Sequence, residues 1–161
     1  MAISDVYTFK SGSVAVASTS ATAVLSVIST AALRGWLVGI ELNIGVTAAA
    51  AGNSILFQLC RPGNTVNGSS GFGGNPEDFS APASVLQGYT TWTTAPTVGT
   101  VLWEKELPQT TGTAWSYYPP TGYEFQVPAI ANNAANAGLH MIVTASVATS
   151  TPVLVDLICS E

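Results

Sequence analysis

Charged residues are scarce in this chain of 161 residues. Asp, Glu, Lys and Arg make up 8% of the sequence, whereas about 25% is usual in soluble domains. Only four residues are basic, and the formal net charge is −5. A protein needs several Lys or Arg side chains to neutralise nucleic-acid phosphates or to hold an anionic membrane surface. The composition therefore disfavours nucleic acid and membranes as partners, and it is typical both of chains that pack against protein neighbours and of secreted β domains.

Groups for catalysis and metal binding are equally few. The chain has one histidine, His140, whereas a zinc or iron site needs several His, Cys or carboxylate ligands. We expect His140 to be solvated or hydrogen-bonded on a strand. Glu104 and Glu106 share a strand face, which we interpret as a solvated face, and no Gly-x-Ser-x-Gly nucleophile motif is present. We therefore expect no enzymatic activity, no cofactor and no metal site.

The two cysteines, Cys60 and Cys159, each lie in an apolar, strand-like segment. Buried free thiols are the favoured interpretation, and a disulfide that joins two paired strands is the alternative. Residues 1–7 lack the basic start and the long apolar stretch of a signal peptide, and no apolar run is long enough to span a bilayer. We expect the chain to be made in a host cytoplasm.

Alternation of apolar and polar residues is the main structural signal, and it has the period of two that is typical of strands. In the clearest segment, 36–44, one face is expected to carry Trp36, Val38, Ile40, Leu42 and Ile44. Similar patterns occur in segments 7–17, 22–28, 54–61, 101–107, 123–127, 139–144 and 153–158. About eight short antiparallel strands separated by polar turns predict an all-β fold, a β-sandwich or jelly roll, in a single domain spanning 1–161.

A long connection rich in Gly, Asn and Pro, residues 62–98, separates two blocks of these strands. Long loops in compact domains are usually functional or mobile. Helix signals are weak. Segment 29–34 has room for one turn, and segment 82–87 begins with a proline suited to a first helical turn and stops before Gly88. We expect at most one or two short helices.

Two groups of residues are candidate contacts for a partner. Trp115, Tyr117 and Tyr118 precede a Pro-Pro turn, and Trp and Tyr are enriched at protein interfaces and stack on sugar rings. Core packing is the alternative for Trp115 and Tyr117, and it is the favoured interpretation for Trp103.

The second group is the apolar N-terminal set Ile3, Val6, Tyr7 and Phe9. Segment 1–9 is either an arm that reaches a neighbouring molecule by strand addition or the first strand of the domain itself.

The order of several short segments resembles small phage proteins of the capsid cement, or decoration, type. Arg-Pro-Gly at 61–63 is followed by the Gly/Asn-rich loop, then by Pro-Ala-Ser-Val at 82–85 and Thr-Trp-Thr-Thr-Ala-Pro-Thr at 91–97. Leu-Pro-Gln at 107–109 precedes a Trp-x-Tyr-x-Pro-Pro-x-Gly turn at 115–122, and Ala-Gly-Leu-His-Met follows at 137–141. The resemblance covers most of the chain from Arg34 onward.

This resemblance implies a jelly-roll protomer that assembles as a homotrimer on the capsid surface of a tailed phage. Its partner would be the major capsid protein, and its work would be to bridge capsid subunits and stabilise the shell. The alternative is a carbohydrate-binding module or the head of a phage fibre that uses exposed aromatic side chains.

Overall fold

The computed structural model describes residues 5–17, 19–30, 34–49, 52–78, 81–128 and 138–161. The predicted all-β, antiparallel sandwich is confirmed. None of these residues belongs to a helix of the length and hydropathy needed to cross a bilayer. The strands are β1 (Val6–Lys10), β2 (Val14–Val16), β3 (Thr22–Ser29), β4 (Gly35–Ile44), β5 (Ser54–Pro62), β6 (Asn67–Gly68), β7 (Gly71–Gly73), β8 (Asn75–Pro76), β9 (Leu86–Tyr89), β10 (Trp92–Thr94), β11 (Val98–Pro108), β12 (Ala114–Tyr117), β13 (Phe125–Val127), β14 (Leu139–Ala145) and β15 (Thr151–Ser160).

The strands form two large sheets and one small ribbon. The front sheet has seven strands in the order β12-β4-β15-β1-β8, with β13 also paired to β4 and β2 to β15. The back sheet has six strands in the order β11-β5-β14-β3-β9-β7, and β6 pairs with β10 in a two-stranded ribbon. Every pairing is antiparallel.

One hydrophobic core lies between the front and back sheets. Strand β15 shows how the sequence forms it, because Val153, Val155 and Leu157 are fully buried on the inner face, as their alternation predicts. Phe57 of the back sheet meets this layer and is also fully buried. Side chains of both sheets therefore form the core, and their packing holds in place the strands that carry the surface residues.

A bulge in β4 overturns the predicted inner face of this strand. Leu37 pairs with Cys159 and Gly39 with Ile158, so Val38 is an extra residue in the ladder. An extra residue reverses the faces on one side of the bulge. Trp36 and Val38 therefore point outward and Leu37 points into the core, whereas Ile40, Leu42 and Ile44 stay inside as predicted.

Three further predictions differ from the structure. Tyr123 lies in a turn and is 77% exposed, because β13 begins only at Phe125. Irregular pairing around Val101 leaves its side chain exposed. The short helix predicted at 82–87 is wrong, since Leu86 starts strand β9 and buries its side chain in the core. The turn considered at 29–34 includes residues 31–33, which lie outside the described residues.

The connection 62–98 is not a bare loop. It contains β6 to β10, and these short strands add to the edge of the back sheet, to β1 and to one another. At Gly68, a Cβ atom would come within 2.0 Å of Tyr89 Cδ1, so only glycine lets β6 lie this close to the ring. Strands of two to four residues are too short for alternation to reveal them.

Candidate interaction face

The N-terminal candidates lie mostly inside the domain. Strand β1 pairs with both β15 and β8. Tyr7 is 1% exposed and its hydroxyl donates to the Pro82 carbonyl at 2.7 Å, while Phe9 is fully buried. Val6 is partly buried. The arm interpretation is therefore wrong for these three residues, which form the first strand of the sandwich, and Ile3 lies outside the described residues.

Trp115 and Tyr117 are half-buried rather than free. Their rings stack with Trp103, at centroid distances of 5.3 Å and 5.7 Å from it, and the three rings pack against the core. Lys105 Nζ lies 4.9 Å from the centroid of Trp115, a cation–π contact. Because β11 and β12 are edge strands of opposite sheets, we assign this stack to the edge of the sandwich between them. The stacking favours the core interpretation of these two residues over an open aromatic surface.

The outer surface of the front sheet, called here the front face, carries exposed apolar side chains. Trp36 is 43% exposed and Leu154 is 37% exposed. Val38 and Ile158 are partly exposed near Trp36, whereas Leu154 lies toward the other end of the ladder, opposite Asn43. Sequence reasoning placed Trp36 and Val38 in the core, because no residue pattern marks the bulge that turns them outward.

Tyr118 forms a ridge across the front face. Its ring lies over Gly39, where a Cβ atom would come within 2.8 Å of Tyr118 Cε1. Its hydroxyl donates to Glu41 Oε1 at 2.5 Å. This hydrogen bond, with smaller effects of burial and nearby carboxylates, raises the pKa of Tyr118 above its usual 10.0. The predicted contact residue Tyr118 is thus exposed and held in a defined place.

A polar row crosses the same face beside this ridge. Register places Ser116 opposite Glu41, Glu41 opposite Asp156, and Asp156 opposite Lys10. Lys10 Nζ lies 3.4 Å from Asp156 Oδ2. Both side chains are partly exposed, so solvent screens this pair and it contributes little to stability.

Two hollows open on the front face. The larger, of about 500 Å³, includes Lys10, Glu41, Trp115 and Asp156 in its wall. The smaller, of about 320 Å³, is lined by Trp36, Val38, Gly122, Glu124 and Ser160. Each hollow places a tryptophan beside at least one carboxylate, so each combines apolar surface with negative charge.

The outer surface of the back sheet, called the back face, holds buried polar residues. Ser26 and His140 are fully buried, with Ser26 Oγ 2.7 Å from His140 Nδ1. Trp92 Nε1 donates to Ser26 Oγ at 3.1 Å. The expectation that His140 is hydrogen-bonded is confirmed, but it is buried rather than solvated, because residues of the long connection cover it.

The cysteines are free, buried thiols, as the favoured interpretation predicted. Burial raises the pKa of Cys60 and of Cys159 above the usual 9.0. Within the described ranges, no three His, Cys, Asp or Glu side chains lie close enough together to hold a metal ion.

Comparisons of the chain with protein-family models, with curated proteins and with solved structures find no significant match. The front face is therefore interpreted from its own chemistry. It combines exposed apolar side chains with carboxylates on the paired strands β4 and β15 and the turn beside them.

Proposed function

We propose that this protein is a structural virion component that binds the outer surface of a phage capsid and stabilises the shell by bridging capsid subunits. The observation that carries the proposal is the exposure of Trp36 and Leu154 on a rigid sheet face. Exposed large apolar side chains on a sheet face that also carries polar groups are typical of protein interfaces.

The construction of the front face supports this role. Its central strands β4 and β15 pair along most of their length and anchor their inner side chains in the core. A surface held in this way loses little conformational entropy on binding, so modest contacts suffice for association.

The strand order supports the jelly-roll form of the sandwich. In chain order, β1, β3, β4, β5, β11, β12, β14 and β15 alternate between front and back sheets except at the step from β5 to β11. The first and last of them, β1 and β15, are neighbours within the front sheet. A path made of two Greek keys has this pattern.

The mechanism is binding that favours one state of the shell. A protein that binds only the expanded shell stabilises that shell by mass action. A homotrimer would make several contacts at once, and linked contacts reinforce one another through effective concentration. The trimer rests on the resemblance to cement proteins, and light scattering should give three times the protomer mass of 16.5 kDa.

The carbohydrate-binding alternative has less support. It requires flat, open aromatic rings, whereas Trp115 and Tyr117 are stacked with Trp103 and Lys105 lies over Trp115. Of the three candidate aromatic residues, Tyr118 alone is exposed, and its ring rests on Gly39.

The direct test is co-sedimentation of the purified protein with expanded and unexpanded shells assembled from the major capsid protein of the same virus. We expect saturable binding to expanded shells and a higher shell melting temperature with bound protein. Equal or absent binding to both kinds of shell would refute the proposal, and glycan screening would then test the alternative.

A further inference from the structure

The charges on the front face are unbalanced. Of the described charged residues that line its two hollows, Glu41, Asp156 and Glu124 carry carboxylates and Lys10 carries an ammonium group. Lys10 already pairs with Asp156. A partner that docks here meets negative charge around exposed apolar side chains, and an interface is favourable when the opposite charge faces it.

The smaller hollow has the features that bind a cationic side chain. The exposed ring of Trp36 and the carboxylate of Glu124 both line it, and Val38 adds apolar surface. Glu124 Oε2 accepts a hydrogen bond from the Gly122 amide at 2.8 Å, which holds the carboxylate in place. A guanidinium group can stack on the indole and pair with the carboxylate while its aliphatic stem packs on Val38.

The chain itself shows the cation–π part of this chemistry once, since Lys105 Nζ lies 4.9 Å from the centroid of Trp115. The ring of Trp115 therefore already has a cation of its own chain. Trp36 is more exposed, which makes the smaller hollow accessible to a cation from outside.

A second copy of this chain is poorly equipped to supply that cation. Of its four basic residues, Lys10 pairs with Asp156 and Lys105 lies over Trp115. Arg61 donates to the carbonyls of Gly138 and Gln126 across the two sheets. The fourth, Arg34, is exposed just before β4, and its role in self-association is tested by the Arg34→Gln variant.

We infer that the partner surface that docks on the front face is a basic and apolar patch of a different protein, which places an arginine or lysine side chain between Trp36 and Glu124. This inference rests on the proposed function, because it specifies the capsid surface that the front face would recognise.

A peptide titration tests the hollow without the capsid. The probe is the blocked tripeptide Gly-Arg-Gly, and its control is the same peptide with citrulline, which keeps the shape but lacks the charge. We expect the arginine peptide to shift the indole N–H resonance of Trp36 in a saturable, salt-sensitive way. The shift should be several-fold weaker with citrulline and in Glu124→Gln, which keeps an acceptor for Gly122.

Capsid binding tests the same inference in the assembly. We expect Glu124→Gln to weaken binding to expanded shells about tenfold, the effect of roughly 1.4 kcal/mol, and to reduce its salt dependence. Glu104→Gln, which neutralises an exposed carboxylate on the back sheet, should bind like the wild type.

The outcomes separate this inference from the proposed function. If shells bind Glu124→Gln as tightly as wild type at all salt concentrations, the inference is overturned and the proposed function stands. If wild type binds no shell, the proposed function fails, and equal responses to the arginine and citrulline peptides would overturn the inference as well. If Arg34→Gln abolishes a self-association seen by light scattering, a second copy is the occupant and the inference is wrong.

Discussion

The two outer faces of the sandwich differ in how far other parts of the chain cover them. On the back face, Trp92 of the connection 62–98 donates a hydrogen bond to the buried hydroxyl of Ser26. On the front face, Trp36 and Leu154 stay exposed, and the nearest neighbours of Trp36 line an open hollow. A tryptophan is thus an internal contact on one face and a surface group on the other.

This difference indicates that the polar groups of the back face are paired within the chain, whereas the front face has apolar groups available for a partner. The back face buries polar atoms and satisfies them within the chain, as buried polar groups require. The front face leaves apolar area in water, which is favourable to remove.

The two tryptophans should differ most when they are truncated. Trp92→Ala removes a ring that covers the back face and leaves Ser26 without its indole donor, so we expect a loss of about 3 kcal/mol in the free energy of unfolding. Trp36→Ala should cost about 1 kcal/mol or less, because Trp36 is 43% exposed and surface substitutions have small effects. Urea denaturation measures both, and equal losses would contradict the comparison.

Gly68 and Gly39 each lie against a tyrosine ring, and the two positions should differ in how well they tolerate alanine. In Gly68→Ala the new Cβ atom would meet the packed ring of Tyr89 at 2.0 Å, and overpacking of this kind costs about 2 kcal/mol. In Gly39→Ala the Cβ atom would meet Tyr118 Cε1 at 2.8 Å and Ile158 Cδ1 at 3.0 Å. Both side chains are at least partly exposed and can shift outward at the cost of the Tyr118–Glu41 contact, so the loss should be below about 1 kcal/mol. If Gly39→Ala lowers the melting temperature more than Gly68→Ala does, the Tyr118 side chain is held more firmly than the Tyr89 ring, and this prediction is wrong.

Removal of one hydroxyl tests the buried polar contact on the back face. Ser26→Ala removes the hydroxyl that accepts from the Trp92 indole N–H and lies 2.7 Å from His140 Nδ1, and removing one partner of a buried hydrogen bond costs about 1–3 kcal/mol. Ser116→Ala, on the exposed polar row of the front face, is the control and should change stability by less than about 0.5 kcal/mol. Chemical denaturation of the two variants in parallel decides the point.

High pH should break the hydrogen bond between Tyr118 and Glu41 on the front face. Its folded pKa is raised above the usual 10.0 because the hydroxyl donates to Glu41. A raised folded pKa means that the hydrogen bond stabilises the fold below the unfolded pKa and that this contribution is lost as pH rises through the folded pKa. Tyrosinate absorbance should show one late-titrating, exposed tyrosine that titrates earlier in Glu41→Gln, and an unchanged titration in that variant would refute the assignment.

Sequence alone predicted the sandwich because its inner faces follow simple alternation. The buried run of Val153, Val155 and Leu157 is an example. The same rule failed at Trp36, since a single extra residue, Val38, reverses the faces and alternation does not register it. The candidate site was therefore found only in part: Tyr118 was identified correctly as exposed, whereas Trp36 was assigned to the core.

The covering of the back face was equally hidden from the sequence. His140 is polar and alternates with apolar neighbours, so it was expected to be solvated or hydrogen-bonded. It is buried and hydrogen-bonded to Ser26, which is far from it in the chain and which also accepts a hydrogen bond from Trp92. Contacts of this kind are set by tertiary structure rather than by local pattern.

Shell binding by two matched double variants tests most directly whether the front face binds the capsid. Trp36→Ala with Leu154→Ala removes apolar contact area from the front face, at positions that are 43% and 37% exposed. Val98→Ala with Val101→Ala removes apolar groups of similar exposure, 37% and 38%, from edge strand β11 of the back sheet. We predict that the first variant loses at least about tenfold in affinity for expanded shells and that the second binds like the wild type. If both variants are folded and the front-face variant binds as tightly as the wild type, the proposed role of the front face in shell binding is wrong.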